Sequence, residues 1–579
     1  DKGETEAEVE SLDSLFEAID FTGGESVNTF TLTNWSRDGV LDGATGNDTY
    51  IVNLTQAAEG ANFINIQDSG GAVGKDSLQY FGSDVEDLIQ LDTVYKNADD
   101  PEREFKQDRW LEYGEYGPRH DGAIGGDGLL IAHFGAALAG YTEKDIDDTE
   151  ALFEVGVSSL LSSTNFQVLN YSTVEDVTVY GGQGDDVFVS DDTEATLNIY
   201  GEGGDDQFYV GSILEVEDVF VEGQEITVAT EITRGTSFEM NIFGGEGDDY
   251  FEVSHNQAEI NLYGDNGDDT FFIKALLTLD EDGNTFDLVG METNVNAGKL
   301  FPDDDDTREV DIDALVYVEN ANVNIDGGAG FDSVAVVGTA LSDTFYVDVD
   351  PLTGEQRIFG AGIKITSLVN IERLVLLTGA GDDRVFVNGV DLGPNSDMVI
   401  NLGSGSDEVI VGNESFDFDV NFPKTNAIEF ATVTDYKQGS GYTAFGRDVY
   451  RVDDSDEQLV TYTLRTPAQT ENRTLQGDRN IGAIRSPLSI IGGLGVIDRI
   501  TVNNQDGPQD LAFSDTVLQK KQILTDDSKI VYPVNPTLTN GFSDLLTRGL
   551  VDTYPQIAET LGDFVRNHIL FQDKYIDTG

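Results

Sequence analysis

The stretch Tyr180–Val210, YGGQGDDVFVSDDTEATLNIYGEGGDDQFYV, holds two copies of one unit set twenty residues apart. In the first, Gly181-Gly182-Gln183-Gly184-Asp185-Asp186 leads into the alternating run Val187-Phe188-Val189. In the second, Gly201-Glu202-Gly203-Gly204-Asp205-Asp206 leads into Gln207-Phe208-Tyr209-Val210. A further pair, Gly244-Gly245-Glu246-Gly247-Asp248-Asp249 and Gly264-Asp265-Asn266-Gly267-Asp268-Asp269, repeats the spacing and again leads into a Phe, Phe251 or Phe271. Glycine at the first and fourth places lets the backbone take positive φ and turn sharply, which points several carbonyl oxygens into one small space. The sixth-place Asp opens a strand, and the aromatic residue two positions on has the same parity and faces the core.

Twenty residues accommodate two short strands and two turns, one full coil of a solenoid. Coils stacked at strand spacing bring equivalent Asp residues about 4.8 Å apart. Two such carboxylates repel by roughly 3–4 kcal/mol at an effective dielectric of about 20. The stack therefore requires a cation between the turns or screening by solvent. Carbonyl and carboxylate oxygens, with no imidazole or thiolate, select calcium over zinc or copper.

The pattern GGxGxDxΦx resembles the RTX, or haemolysin-type, calcium-binding repeats, whose chains form parallel β-rolls. Looser copies extend the resemblance. Gly327-Gly328-Ala329-Gly330-Phe331-Asp332 keeps every Gly and the Asp, whereas Thr378-Gly379-Ala380-Gly381-Asp382-Asp383 and Leu402-Gly403-Ser404-Gly405-Ser406-Asp407 lose only the first Gly. Weaker relatives span Gly43 to Asp48, Gly71 to Asp76, Gly122 to Asp127 and Gly338 to Asp343, and Gly492 to Asp498 is one residue too long. The resemblance implies an elongated right-handed parallel β-roll or β-solenoid, an all-β fold with insertion loops and short terminal helices. It also implies calcium held by Asp48, Gly182, Gly184, Asp186, Gly203, Asp206, Gly245, Gly247, Asp249, Gly267, Asp269, Gly328, Gly330, Asp332, Asp343, Gly381, Asp383, Gly405 and Asp407. Alternate turns such as Asp191 to Thr196 lack the pattern, so ions are expected along one edge only.

With 109 Asp and Glu against 32 Lys and Arg, the chain carries a net charge of −77. That excludes nucleic acid and anionic membrane surfaces as natural partners, since both attract Lys and Arg. It favours divalent cations or a basic partner; the acidic surface of a salt-adapted protein is the other reading. The 579 residues include no Cys, which fits an exported protein stapled by metal rather than disulfides. No run of 18 apolar residues is present, so no membrane span is expected.

Six segments follow from the pattern. Residues 1–27 are an acidic leader with Leu12, Leu15, Phe16 and Ile19 at helical spacing, read as a short helix or a partly disordered tail. Residues 28–94 are degenerate coils. Residues 95–165 break the pattern and read as an insertion loop packed on the solenoid, carrying Trp110, Tyr113, Tyr116 and His120. Residues 166–411 form the main solenoid, interrupted by spacers at 213–240 and 274–318. Within it, Phe166-Gln167-Val168-Leu169 with Val174-Glu175-Asp176-Val177 matches Ile363-Lys364-Ile365-Thr366 with Ile371-Glu372-Arg373-Leu374, a larger recurring module. Residues 412–540 keep strands but lose the Asp turns, and 541–579 read as a helical cap.

Catalytic signatures are missing. The four His residues, His120, His133, His255 and His568, are scattered, and neither HExxH, GxSxG nor a phosphate-binding GK[ST] loop occurs. The expectation is a non-enzymatic extracellular protein, a calcium-stabilised surface-layer, filament or matrix subunit that self-associates or joins other matrix components. The alternatives are a calcium-dependent adhesin or glycan-binding module, with residues 105–120 as contact surface, and an RTX-bearing enzyme acting on polysaccharide.

Overall fold

The computed structural model describes residues 18–33, 38–53, 60–67, 75–82, 87–94, 127–134, 165–172, 174–190, 195–211, 213–221, 224–232, 236, 238–279, 315–423, 425–430, 442–444, 447–449, 461–466, 469–492 and 498–506. These residues are all-β, and no helix among them is long and apolar enough to cross a membrane. The helices expected near the two termini and the aromatic cluster at residues 105–120 lie outside the described residues. So do Gly122 and the run Asp303 to Asp306.

Two long sheets of 14 strands each organise the chain, and outside the meanders and hairpins described below successive strands alternate between them. In the best-formed part, Asp176–Gln183, Thr196–Gly203, Met240–Glu246, Ile260–Asn266 and Val323–Asp326 lie side by side in one sheet. Val187–Ser190, Gln207–Val210, Tyr250–Val253, Thr270–Lys274 and Ser333–Val337 lie side by side in the other. All these pairings are parallel. Their register makes the twenty-residue spacing literal: Val187 sits opposite Gln207, and Tyr250 opposite Thr270. A layer is thus one strand of each sheet.

Period-two alternation sends one side chain in two into the space between the sheets. There Phe188, Phe208, Phe251 and Phe271 stack with centroids 4.9, 4.8 and 4.6 Å apart, facing Val179, Ile199, Ile242 and Leu262 within one continuous core. Each offset ring pair adds about 0.5–1.5 kcal/mol beyond the area it buries. On the outward face of the first sheet, Asn198, Asn241, Asn261 and Asn324 pass an amide hydrogen bond from layer to layer at 2.9–3.0 Å. Beside them the rings of Tyr180, Tyr200, Phe243 and Tyr263 stack at 4.6–5.0 Å. In this part the second sheet is buried on both faces. Its outward Glu252 accepts from Tyr250 Oη at 2.8 Å and pairs with the buried Lys274.

Three expectations are corrected. Residues 95–165 are not simply a loop on the outside, because Asp127–Phe134 enters the second sheet as the middle of an antiparallel meander between Asp87–Val94 and Asn165–Ser172. The leader is a strand at its end: Ala18–Thr22 pairs with Asp38–Asp42, whose backbone groups outweigh the helical spacing of Ile19. The acidic turns also do not keep to one edge, as described below. The spacer Ile213–Val221 with Gln224–Ile232 is an antiparallel hairpin of its own. A second meander, Thr344–Val349, Gln356–Gly360 and Ile363–Val369, lies in the first sheet. The module noticed in the sequence is thus the closing strand and corner of each meander.

Candidate metal-binding turns

The sixth-position residues form continuous rows, because each turn sits directly over its neighbour. In the middle row the backbone N–H of each residue donates to a carboxylate oxygen of the next layer. Asp87 donates to Asp186, Asp186 to Asp206, Asp206 to Asp249, Asp249 to Asp269 and Asp269 to Asp332, all at 2.7–2.9 Å. The row ends where Asp332 N–H meets Glu372 Oε2 at 2.9 Å. These turns lead from the first sheet into the second.

Two further rows occupy the opposite corner, where the chain passes from the second sheet into the first. One runs from Asn28 through Asp48 and Asp76 to Glu175. The other runs from Asp343 through Asp383 to Asp407. Row changes coincide with the meanders. The strand entering each meander follows the first residue of a new row, Asp87 or Asp343, and the strand leaving it is followed by a Glu that ends an old one.

A second column stands outside the first, with opposite polarity. Asp205 N–H donates back to Asp185 Oδ1, Asp248 to Asp205 and Asp268 to Asp248, each at 2.9 Å. Phe331 N–H closes this column on Asp268 at 2.8 Å. Each turn is therefore tied to the layer above by one Asp and to the layer below by the other.

The inner carboxylates are almost dry. Asp206 and Asp269 are 0 % exposed and Asp249 and Asp332 are buried with them. One oxygen of each takes the neighbour's N–H; the other, Oδ2 of Asp48, Asp206, Asp249, Asp269, Asp332 and Asp407, is buried and accepts no hydrogen bond. Burial, reinforced by the next carboxylate along, pushes Asp206 up to about 9 and Asp249 up to about 8. Burial likewise raises Asp269 to about 7 and Asp332, Asp343 and Asp407 to about 6. Asp383 rises to about 9, with Asp343 adding to the effect of burial.

Glycine is required where layers touch. Gly184, Gly204, Gly247, Gly267, Gly330 and Gly405 have φ between 133° and 154°. A Cβ on Gly267 would collide with the carbonyl of Gly247 directly beneath it. Among the expected glycines, Gly182, Gly245, Gly328 and Gly381 share the left-handed region. Gly203 does not; Glu202 and Gly204 carry the positive φ of that turn, so Gly204 is the equivalent of Gly184. The first-position Gly leaves room for the carboxylate: a Cβ on Gly201, Gly244 or Gly264 would overlap Oδ2 of Asp206, Asp249 or Asp269.

All the expected Asp residues fall on these rows. The additional members are Asn28, Asp76, Asp87, Glu175 and Glu372. Asp87 carried a legible signal, since Gly82 stands five residues before it and Leu88-Ile89 follow. Among the described residues no group of three or more His, Asp or Glu side chains gathers as a metal centre. The reason is geometric, because each layer contributes one inner carboxylate and one of its oxygens is engaged by backbone. The donor set that fits a cation is therefore a column of single Oδ2 atoms beside stacked glycine carbonyls, all hard oxygens. Comparison with protein-family models and with curated proteins finds no match for this chain.

Proposed function

We propose that the chain is a calcium-stabilised, extracellular structural repeat protein, a non-enzymatic subunit of a surface layer, filament or matrix, and that its two sheets are the walls of a right-handed β-roll. One observation carries this reading: carboxylates are stacked layer on layer, and six of them, Asp48, Asp206, Asp249, Asp269, Asp332 and Asp407, have a buried oxygen that accepts no hydrogen bond. Buried charge without a partner is costly enough to unfold a domain unless something neutralises it. Calcium would be held by Oδ2 of Asp48, Asp206, Asp249, Asp269, Asp332 and Asp407 with the glycine carbonyls, and would supply the positive charge the turns lack. Such a chain is suited to forming a stiff element whose order depends on the ion. The extracellular assignment is supported by the absence of Cys and by the acidic composition.

Ligand bound only to the native state contributes about 2.7 kcal/mol per site at a hundredfold excess over Kd. The test is a metal count on the purified chain together with melting curves in calcium and in chelator. Bound calcium and a lower melting temperature after chelation are expected. No bound calcium and coincident curves would overturn the proposal.

A further inference from the structure

The rows are not uniform, and the difference lies in what faces each sixth-position side chain. In the interior layers, the point a Cβ would occupy on Gly201 lies against both Asp206 Oδ2 and the carbonyl oxygen of Gly244 in the next layer. The same pairing recurs at Gly244, with Asp249 Oδ2 and the Gly264 carbonyl, and at Gly264, with Asp269 Oδ2 and the Gly327 carbonyl. Two acceptors thus crowd one place, and no N–H or O–H of another residue donates to the carboxylate oxygen there.

At the head of the first row the chain has a different solution. Asn28 stands at the sixth position, with Gly23 in the first. Its Nδ2, rather than an oxygen, lies beside Gly23 and reaches the Gly43 carbonyl of the next layer at 3.1 Å and Asp48 Oδ1 at 3.0 Å. The amide provides the donor that a carboxylate lacks. At the head of the third row the carboxylate remains, but protein donors saturate it. Asp343 Oδ2 accepts from Thr339 N–H at 2.6 Å, and Oδ1 accepts from Thr339 Oγ1 at 2.9 Å and from Tyr317 Oη at 2.7 Å.

We infer that the rows contain two classes of site: interior positions, typified by Asp249, where a cation bridges Oδ2 and the next layer's carbonyl, and self-closed heads at Asn28 and Asp343, which take no cation. Asp343, although it fits the repeat motif, is then not an ion site. The calcium part of this inference rests on the function proposed above; the division into two classes does not, because it concerns which hydrogen-bond donors the chain itself supplies.

The two classes respond oppositely to one chemical change. Asp249→Asn keeps an oxygen for the Asp206 N–H and turns an amide toward the Gly264 carbonyl, reproducing Asn28. Asp343→Asn instead sets an amide against the donors on Thr339. Full-length protein carrying each substitution is melted in chelator and in calcium, and bound calcium is counted. In chelator, Asp249→Asn is expected to melt several degrees above the parent and Asp343→Asn several degrees below it. In calcium, Asp249→Asn is expected to bind fewer ions than the parent and Asp343→Asn the same number. Shifts of the same sign in chelator, or loss of an ion from Asp343→Asn, would overturn the inference. If the parent itself binds no calcium, the proposed function falls, while opposite signs in chelator would still support the two classes.

Discussion

Raising the pH in the presence of chelator should melt this protein, against the usual tendency of proteins to hold their stability up to about pH 8. The effect comes from the inner rows. Asp206 and Asp383 are pushed up to about 9, Asp249 to about 8 and Asp269 to about 7, in every case by burial first. The ordinary value, 3.8, applies to the unfolded chain. The native state therefore binds these protons more tightly, so their contribution to stability is full below about pH 4 and is lost as pH rises through 7 to 9. A tenfold change in proton affinity corresponds to about 1.4 kcal/mol. Between pH 5 and pH 9, Asp206 and Asp383 each lose about 5 kcal/mol on that scale, Asp249 about 4 and Asp269 about 3. Each loss is a sizeable fraction of the net stability of about 5–15 kcal/mol that a domain holds.

The consequence is that the rows cannot all carry bare charge at pH 9. They must keep protons, take up cations or come apart. Circular-dichroism melts at whole pH values from 5 to 9 separate these outcomes. In chelator the melting temperature is expected to fall steadily across the range, and in calcium the slope should flatten because the cation takes the place of the proton. General charge repulsion does not produce this slope, since exposed carboxylates are ionised already at pH 5. A melting temperature in chelator that is level or rising from pH 5 to pH 9 would refute the reasoning.

Two packing predictions follow from the same layers. Gly267→Ala forces a side chain into a backbone at φ 147° and onto the Gly247 carbonyl, so a loss of about 3 kcal/mol or more is expected from strain and overlap together. Urea unfolding measures it against Gly24→Ala, where a Cβ meets nothing within 4 Å, and equal midpoints for the two variants would count against the stacked turn. Phe251→Ala removes a ring held between Phe208 at 4.8 Å and Phe271 at 4.6 Å, and about 3–5 kcal/mol should be lost. A change below about 1 kcal/mol would show that the core closes over the gap.

The twenty-residue pairs and the inward Phe residues were legible because they depend on local chemistry: glycine where φ is positive, and strand parity for which side chain faces in. Which corner a turn occupies is a different kind of fact. Alternation along a strand distinguishes its two faces but says nothing of its two ends, so the one-edge expectation had no local residue to contradict it. The spacing between successive acidic residues did contain the answer. Asp76 and Asp87 are eleven residues apart, as are Asp332 and Asp343, which is about half of a twenty-residue layer. A half-layer step must land on the opposite corner. The interlayer hydrogen bonds then show how the geometry is kept whole. Asp76 to Glu175 and Asp87 to Asp186 both span 99 residues, and Asp332 to Glu372 and Asp343 to Asp383 both span 40. At each change of corner the old row's last bond and the new row's first bond bridge the same inserted length, so the corners stay in step, and the second meander takes up its misfit as a bulge where Val323–Asp326 meets Ile363–Val369. Glu appears only at the outgoing end of a row, at Glu175 and Glu372, where the residue accepts an N–H from the layer before and its own N–H turns back to the Asp76 or Asp332 carbonyl. Beyond each Glu the corner is joined by backbone, Thr196 N–H donating to the Glu175 carbonyl and Asp397 N–H to the Glu372 carbonyl, so the carboxylate row stops there while the layers stay bonded.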